Sequence, residues 1–461
     1  MAPIRPHVAP TLMLALPLIG SHLARMAIGV TDTLLVARLG VDSLAALVLA
    51  TSLFLVVYMA GSGYAMGLMA RVADALARGD DTEVRRATRM ALWLSILHSA
   101  VMAPLMWHSG AVLTAFEQEP QVAALAQEWL RVMLFAMAPV LCAMTLNSYL
   151  AALGRAGIVM WITVLGLPLN ALFNWLLIFG PGPFPAWGIT GAGIASLVVN
   201  WLQFGALALF AAWLPAARRF DLFRRFWKPD WTAMREIFVL GLPIGLTTVA
   251  EIGMFAGTNL MMGWFGPEAL AAHGIALQLA SIAFMVHIGL SNAGTIRIGA
   301  ARGAGDREGL RAAAATVMLM SVAFAALTMA FFILTPGPLA WLYLNPADPA
   351  APRIVAMAAV LMVYAGAFQI VDAMQVVGLG LLRGVQDTRV PLVLTIVSYW
   401  LIGMPAAYFL ALHGGMGPQG LWAGLCVGLT AAAALLLRRF WARGDGWISA
   451  GETWPEGATR A

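Results

Sequence analysis

A long apolar run begins with LGLPIGLTTVAEIGMF at residues 240–255 and ends at Asp306. This run decides the fold because the chain contains a second run that is similar to it. LALPLIGSHLARMAIG, residues 14–29, opens an equivalent run that ends at Asp80. The offset is constant, since 243 − 17 = 226 and 306 − 80 = 226. Without any gap, further identities fall at Gly40 and Gly266, Leu44 and Leu270, Ala45 and Ala271, Ala46 and Ala272, Ala50 and Ala276, Gly63 and Gly289, and Arg71 and Arg297. The chain is therefore predicted to consist of two similar halves.

The charged residues of these two runs are not duplicated. Glu251 stands where the first half has Arg25, and Asp32 stands where the second half has Thr258. A common scaffold that carries different charges in its two copies indicates that those charges serve function.

Composition excludes a soluble domain and predicts an all-α integral membrane protein. The chain is 61% hydrophobic and 11% charged, with a mean hydropathy of +0.84, whereas globular chains are about 25% charged. Its apolar runs reach the ~20 residues that a transmembrane helix needs. They are too long and uniform for the strands of a barrel, which alternate over about ten residues. The net charge of +5 does not indicate nucleic-acid binding, because the arginines lie at the ends of predicted helices.

Twelve spans are predicted, six in each half. This gives an N-terminal lobe over 1–214, a basic cytoplasmic linker over 215–235, a C-terminal lobe over 236–442 and a disordered cytoplasmic tail over 443–461. Arginines concentrate after even-numbered spans, beginning with a charged loop predicted from Arg71 to Arg89. The positive-inside rule then places both termini in the cytoplasm and makes the two six-helix bundles a parallel, pseudo-symmetric repeat. The predicted spans are 11–37, 44–70, 90–113, 130–153, 158–179, 188–214, 237–262, 268–296, 311–335, 354–382, 390–412 and 419–437.

Two prolines occupy equivalent places next to ionisable residues. Arg25 follows Pro17 by eight residues, and Glu251 follows Pro243 by the same number. A proline inside a helix removes a hydrogen bond and can bend the helix, so Pro17 and Pro243 are candidate hinges. The alternative is that each proline lies harmlessly in a first turn.

Ionisable residues within apolar spans cost at least ~2.5 kcal/mol each at the bilayer centre, so each requires a reason. Asp32 lies about two turns after Arg25, and Asp372 lies between Gln369 and Gln375 on a polar stripe. For the glutamines, hydrogen bonding between helices is the favoured interpretation. For Asp372 the favoured interpretation is a functional role and not hydrogen bonding between helices.

Acids in a membrane cavity can bind a proton, Na⁺ or a cationic substrate, and competition for one negative charge couples these ligands. The alternative for Asp32 and Glu251 is a static salt bridge of either residue with Arg25. Asn170 and Asn174, one turn apart, could line a polar cavity beside Asp32 or simply join helices. No nucleotide-binding GxxxxGK[ST] loop is present in the sequence, so the chain does not hydrolyse ATP itself.

These residues resemble the multidrug and toxic compound extrusion (MATE) family, specifically its norfloxacin-pump-like bacterial branch. Pro17 with TDT at residues 31–33 is similar to the family's first helix, and LRGVQDTR at 382–389 is similar to its segment after helix ten. Asn170 and Asn174 resemble the asparagine pair on the family's fifth helix. Glu251 and Asp372 resemble its C-terminal-lobe acids. Phe368 offers no oxygen where sodium-coupled members carry tyrosine, which leaves Na⁺ and H⁺ both open as the coupling ion.

The resemblance implies export of organic cation drugs in exchange for inward Na⁺ or H⁺ by alternating access, with no enzymatic activity and no cofactor besides the ion. Glu251, Asp372 and Asp32 are expected to bind the coupling cation. The protein is expected to be a monomer in the bacterial inner membrane, in contact with lipid and not with nucleic acid. The predicted substrate cavity comprises Asn170, Asn174, Gln278, Arg25 and Phe368.

Three alternatives remain. A lipid-linked saccharide flippase of the same superfamily would favour arginines for its phosphates, and a membrane-embedded enzyme would need acids and histidines clustered at a helix end. The third alternative is a sensor that transports nothing, and a flux assay would distinguish it from a transporter.

Overall fold

The computed structural model describes residues 5–181 and 185–448, and twelve helices within them are long and apolar enough to cross a membrane. The predicted all-α fold with twelve spans is therefore confirmed. The helices are α1 (Arg5–Val36), α2 (Val41–Ala77), α3 (Asp81–Trp107), α4 (Pro120–Ala152), α5 (Ala156–Phe179), α6 (Gly188–Trp213), α7 (Trp231–Gly263), α8 (Pro267–Gly303), α9 (Arg307–Leu334), α10 (Ala351–Gly384), α11 (Arg389–His413) and α12 (Pro418–Arg443).

The chain divides into two compact units. One runs from Leu16 to Leu246, and the other joins the chain up to Ala15 with the part from Thr247 onward. Within the first unit α4 packs against α2, α3 and α6, and within the second α10 packs against α8, α9 and α12. Each unit is thus built around the fourth helix of its half. The lobe bounds at 214 and 236 remain a prediction.

Arg71 to Arg89 do not form a loop, because α2 continues to Ala77 and α3 begins at Asp81. The duplicated Gly-Asp pair makes the sharp turn here. Gly79 has φ of 72°, which suits glycine, and Asp80 Oδ1 accepts a hydrogen bond from Glu83 N at 2.9 Å as the N-cap of α3. In the second half Asp306 caps α9 in the same way. The charged residues that were predicted to form a loop therefore lie at the ends of α2 and α3, which extend beyond the apolar parts of these helices.

The basic segment 215–235 packs on the first unit. It begins with a short helix, Pro215–Arg218, and buries Phe220. The Trp93 indole donates to Phe226 O at 2.9 Å and stacks on the Phe226 ring. Arg86 Nε lies 2.5 Å from Asp230 Oδ2 and lowers the pKa of that carboxyl.

At the other end of the chain, Gly444–Trp447 form a 3₁₀ turn whose Trp447 indole donates to Phe440 O at 2.8 Å, and the disordered tail over 443–461 stays a prediction. Residues 449–461 of that predicted tail lie outside the described residues.

Pro17 and Pro243 lie inside helices and not in a first turn. Each stands twelve residues after its helix begins, since 17 − 5 = 12 and 243 − 231 = 12. Ser21 Oγ donates to the carbonyl of Pro17 at 2.9 Å, one turn on. The first-turn interpretation of both prolines is therefore wrong, and the hinge stays a prediction.

Glycines let α2 and α7 approach closely within the first unit. A Cβ added at Gly63 would overlap the carbonyl oxygen of Gly241, and one added at Gly245 would overlap that of Ala60. Small residues at such contacts allow backbones to pack directly against one another in membrane proteins.

We predict that Gly63→Ala lowers the stability of the folded protein by about 1–3 kcal/mol, as overpacking typically does. The matched control is Gly29→Ala, also in a helix, where an added Cβ meets nothing within 4 Å. The control is expected to be neutral or stabilising by up to ~1 kcal/mol, from helix propensity alone. Thermal unfolding of the purified protein in detergent measures both, and equal melting temperatures would contradict the close contact.

Candidate functional site

The first unit holds a carboxylate site at Asp32. Asn174 Nδ2 on α5 donates to Asp32 Oδ1 at 2.7 Å, and Ser196 Oγ on α6 donates to Asp32 Oδ2 at 3.3 Å. Asn174 Nδ2 also donates to Asn170 O at 3.0 Å, which orients the amide. The structure therefore brings together three of the residues singled out from the sequence. Ser196 was missed, and no pattern in its apolar span would have indicated it.

Two amide oxygen atoms at this site have no hydrogen-bond partner among the described residues. They are Asn174 Oδ1 and Asn170 Oδ1, and both are buried. Carboxylate and amide oxygens are hard ligands of the kind that alkali and alkaline-earth cations prefer. Together with Asp32 they fit a small cation, or a proton on the carboxyl group.

Arg25 is half-buried on α1, and no ion pair between it and Asp32 occurs within the described part of this unit. The carboxylate of Asp32 is instead held by neutral donors. The salt-bridge alternative for this pair of residues is therefore not what the structure contains.

The second unit holds a larger polar cluster, made by Glu251 on α7, Asp372 and Arg383 on α10, and Tyr399 on α11. Glu251 repels Asp372 electrostatically and attracts Arg383. The Tyr399 hydroxyl group interacts electrostatically with these three charged side chains. Asp372 is only 2% exposed. Glu251 and Arg383 are partly buried, so the charges of the two acids and the arginine are screened less than they would be in water.

One carboxyl oxygen of each acid lacks a hydrogen-bond partner among the described residues, namely Glu251 Oε1 and Asp372 Oδ1. A buried polar atom without a partner is costly and rare in native structures. Such atoms mark where a ligand, a proton or an ion would supply the missing interaction. This pair is the strongest candidate for the cation site that the sequence predicted.

Gln375 and Tyr399 connect α10 to α11. Gln375 Nε2 donates to the Tyr399 hydroxyl at 2.5 Å, an interhelical hydrogen bond of the kind expected for the glutamines. Tyr399 is fully buried in a π-helical segment, Val397–Gly403, and such segments are frequent at functional sites. Gln369 is also fully buried, and its amide lies beside the His287 ring.

Arg383 and Tyr399 were not among the predicted site residues. Arg383 follows Asp372 by eleven residues, or three helical turns, so both lie on one face of α10 and the spacing could have indicated it. Nothing in the sequence around Tyr399 would have indicated its place, because only the tertiary fold brings α11 beside α10.

Phe368 and Gln278 differ in their surroundings. Phe368 is buried one turn before Asp372 and makes edge contacts with Phe255 and Trp422, at ring-centroid distances of 6.1 and 5.6 Å. Gln278 is half-buried on α8, and its side chain makes no hydrogen bond among the described residues. Their assignment to a substrate cavity stays a prediction.

Comparison with known proteins places this chain among transporters. The MatE family model matches residues 17–176 and 243–409, which together make up more than half of the chain, and the two matches start 243 − 17 = 226 residues apart. The duplication read from the sequence therefore coincides with the family's repeating unit.

Curated relatives match along nearly the whole chain. The probable multidrug resistance protein NorM of Rhizobium meliloti (strain 1021) is 44% identical over 94% of this chain and 93% of the relative. The multidrug resistance protein NorM of Burkholderia vietnamiensis is 36% identical over 96% of each.

Solved structures share the fold at lower identity. The eukaryotic MATE transporter AtDTX14 gives a TM-score of 0.85 at 20% identity, covering 96% of this chain and 98% of that one. An outward-facing multidrug resistance MATE family transporter of the MOP superfamily gives 0.85 at 21% identity, covering 96% of each.

We predict that Tyr399→Phe destabilises the protein by about 1–3 kcal/mol, because Gln375 Nε2 would become a buried donor without an acceptor. The matched control is Tyr408→Phe on the same helix, where the ring is 39% exposed and no hydrogen bond of the hydroxyl is found among the described residues. Thermal unfolding in detergent compares the two variants. Equal stability of Tyr399→Phe and the unaltered protein would rule out an energetic role for this bond.

Proposed function

The chain belongs to the MatE family and is a multidrug efflux transporter of that family, and we propose that it exports organic cations in exchange for inward Na⁺ or H⁺. Since the family is one of transporters, the enzyme alternative is set aside. The proposal rests chiefly on one observation: one carboxyl oxygen of Glu251 and one of Asp372, in the same polar cluster, are buried without a hydrogen-bond partner among the described residues.

Glu251 and Asp372 are proposed to bind the coupling cation. Two carboxylates that repel each other are more stable when a cation or proton lies between them. Arg383 beside Glu251 limits the excess negative charge, so that one added positive charge nearly neutralises the cluster. An organic cation can supply that charge as well, and competition between the two ligands for it couples their movements in opposite directions.

Asp32 is proposed to form a second cation site with Asn170 and Asn174. Here a single carboxylate is oriented by neutral donors, so this site differs in charge from the Glu251–Asp372 cluster. Arg25, Gln278 and Phe368 are proposed to line the substrate path, with Arg25 adjusting the affinity of the acids.

Pro17 and Pro243 are proposed as the hinges of alternating access, because each removes a hydrogen bond from the middle of a long helix. The protein is proposed to act as a monomer in the bacterial inner membrane, among lipids, with both termini in the cytoplasm. The arginines after even-numbered spans support this orientation. No cofactor besides the coupling ion is proposed.

Efflux of a fluorescent organic cation from proteoliposomes, driven by an imposed Na⁺ or pH gradient, tests the function. Glu251→Gln and Asp372→Asn are each expected to reduce coupled efflux by at least ~10-fold, which corresponds to about 1.4 kcal/mol. Asp32→Asn is expected to reduce it as well. The gradient that drives wild-type efflux identifies the ion.

Asp348→Asn is the matched control, since Asp348 lies in the connection between α9 and α10 outside the spans. It should export at the wild-type rate. Full coupled efflux in all three of the other variants would show that the acids are structural. Absence of efflux from folded wild-type protein under either gradient would favour the flippase alternative.

A further inference from the structure

Arg71 and Arg297, which the 226-residue offset makes equivalent, each hold the beginning of a long helix. Arg71 on α2 donates from Nη2 to Glu236 Oε2, five residues after the start of α7. Arg297 on α8 donates from Nη1 to His7 O, two residues after the start of α1. Each of these contacts lies within a single compact unit.

Further hydrogen bonds strengthen both attachments. Arg71 Nε also lies 2.5 Å from Glu83 Oε1, and the side chains of this pair are only 19% and 11% exposed. Arg297 donates to Thr11 Oγ1 at 2.5 Å and to His7 Nδ1 at 2.6 Å. Exposed ion pairs contribute little, and the Glu236 side chain is 44% exposed. The same Arg71 guanidinium is, however, held by its partly buried bond to Glu83, and all the bonds of Arg297 are partly buried.

The two helices held in this way are the ones that pass from one unit to the other. The division falls between Ala15 and Leu16 in α1, two residues before Pro17. In α7 it falls between Leu246 and Thr247, one turn after Pro243. A short helical segment therefore separates each arginine's attachment from the proline.

We propose that Arg71 and Arg297 are positioning residues for transport, which fix the first turns of α7 and α1 to their units so that bending is concentrated at Pro243 and Pro17. If the first turns of α1 and α7 were not attached to their units, each helix would rotate as a whole and would not bend at its proline. This inference rests on the proposed function. It assigns a role in transport to two residues that are not part of the proposed cation sites.

The two attachments differ in their chemistry, which provides an internal test. Arg71 faces two carboxylates, which a lysine can also neutralise as a point charge. Arg297 faces three neutral acceptors on α1, which require the forked geometry of a guanidinium. Arg71→Lys should therefore retain much of the activity, whereas Arg297→Lys should behave like Arg297→Gln.

The experiment compares Arg71→Gln and Arg297→Gln in proteoliposomes with Arg85→Gln and Arg302→Gln. Arg302 lies on α8 like Arg297, and Arg85 lies on α3, the helix that follows α2. Arg85 Nε and Arg302 Nη1 are buried without a hydrogen-bond partner among the described residues, so each control removes a nearby charge and leaves the bonds of Arg71 and Arg297 in place. Efflux is expected to fall ~10-fold in the first two variants, equivalent to about 1.4 kcal/mol. The controls should keep the wild-type rate.

Two further measurements separate positioning from general damage. The Kd of the fluorescent cation should stay within about twofold of wild type, because the bonds of Arg71 and Arg297 go to residues other than Asp32, Glu251 and Asp372. Hydrogen exchange should accelerate in residues 8–14 of Arg297→Gln and in residues 237–242 of Arg71→Gln, and not in α4 or α10. A double variant of Arg71→Gln with Glu236→Gln should be no slower than Arg71→Gln alone.

Wild-type efflux rates in both glutamine variants would overturn the proposal. So would a general increase in exchange with loss of cation binding, which would indicate a purely structural role. Failure of the underlying function has a different signature, because wild-type protein would then show no efflux at all.

Discussion

The cost of placing charge inside a membrane governs this structure. A lipid-embedded chain has no water to solvate its polar groups, so each must find a partner within the protein or a ligand from outside. Asp32 finds neutral donors in Asn174 and Ser196. Glu251 and Asp372 each retain an oxygen that no described residue hydrogen-bonds, beside a second acid. This difference in compensation distinguishes the two carboxylate sites from one another.

Duplication supplies a common frame, and substitution within it supplies asymmetry. Both halves pack around their fourth helix, turn at a Gly-Asp pair and place a proline twelve residues into their first helix. On that frame the equivalent positions 25 and 251 carry opposite charges. Even the equivalent arginines Arg71 and Arg297 bond to different partners, carboxylates in one unit and neutral acceptors in the other. A shared scaffold can therefore carry two chemically distinct sites.

Much of the fold was accessible from the sequence. Hydrophobic runs of sufficient length predicted all twelve spans, and the constant offset predicted a repeat that the MatE matches reproduce. Boundaries were less accurate because charged helix ends, as in Arg71 to Arg89, extend beyond the apolar part and look like loops. The first-turn alternative for Pro17 failed for the same reason: α1 begins at Arg5, before its apolar run.

The sequence by itself determined which residues cost free energy when they are buried, because an acid within an apolar span can be recognised without knowledge of the fold. It therefore identified Asp32, Glu251 and Asp372, together with the asparagine pair one turn apart. Only the tertiary structure decided what each acid faces, because Ser196 and Tyr399 come from distant parts of the chain. It likewise decided that Gln375 is bonded to Tyr399. Compensation of charge depends on contacts between helices, and linear spacing specifies the faces of single helices only.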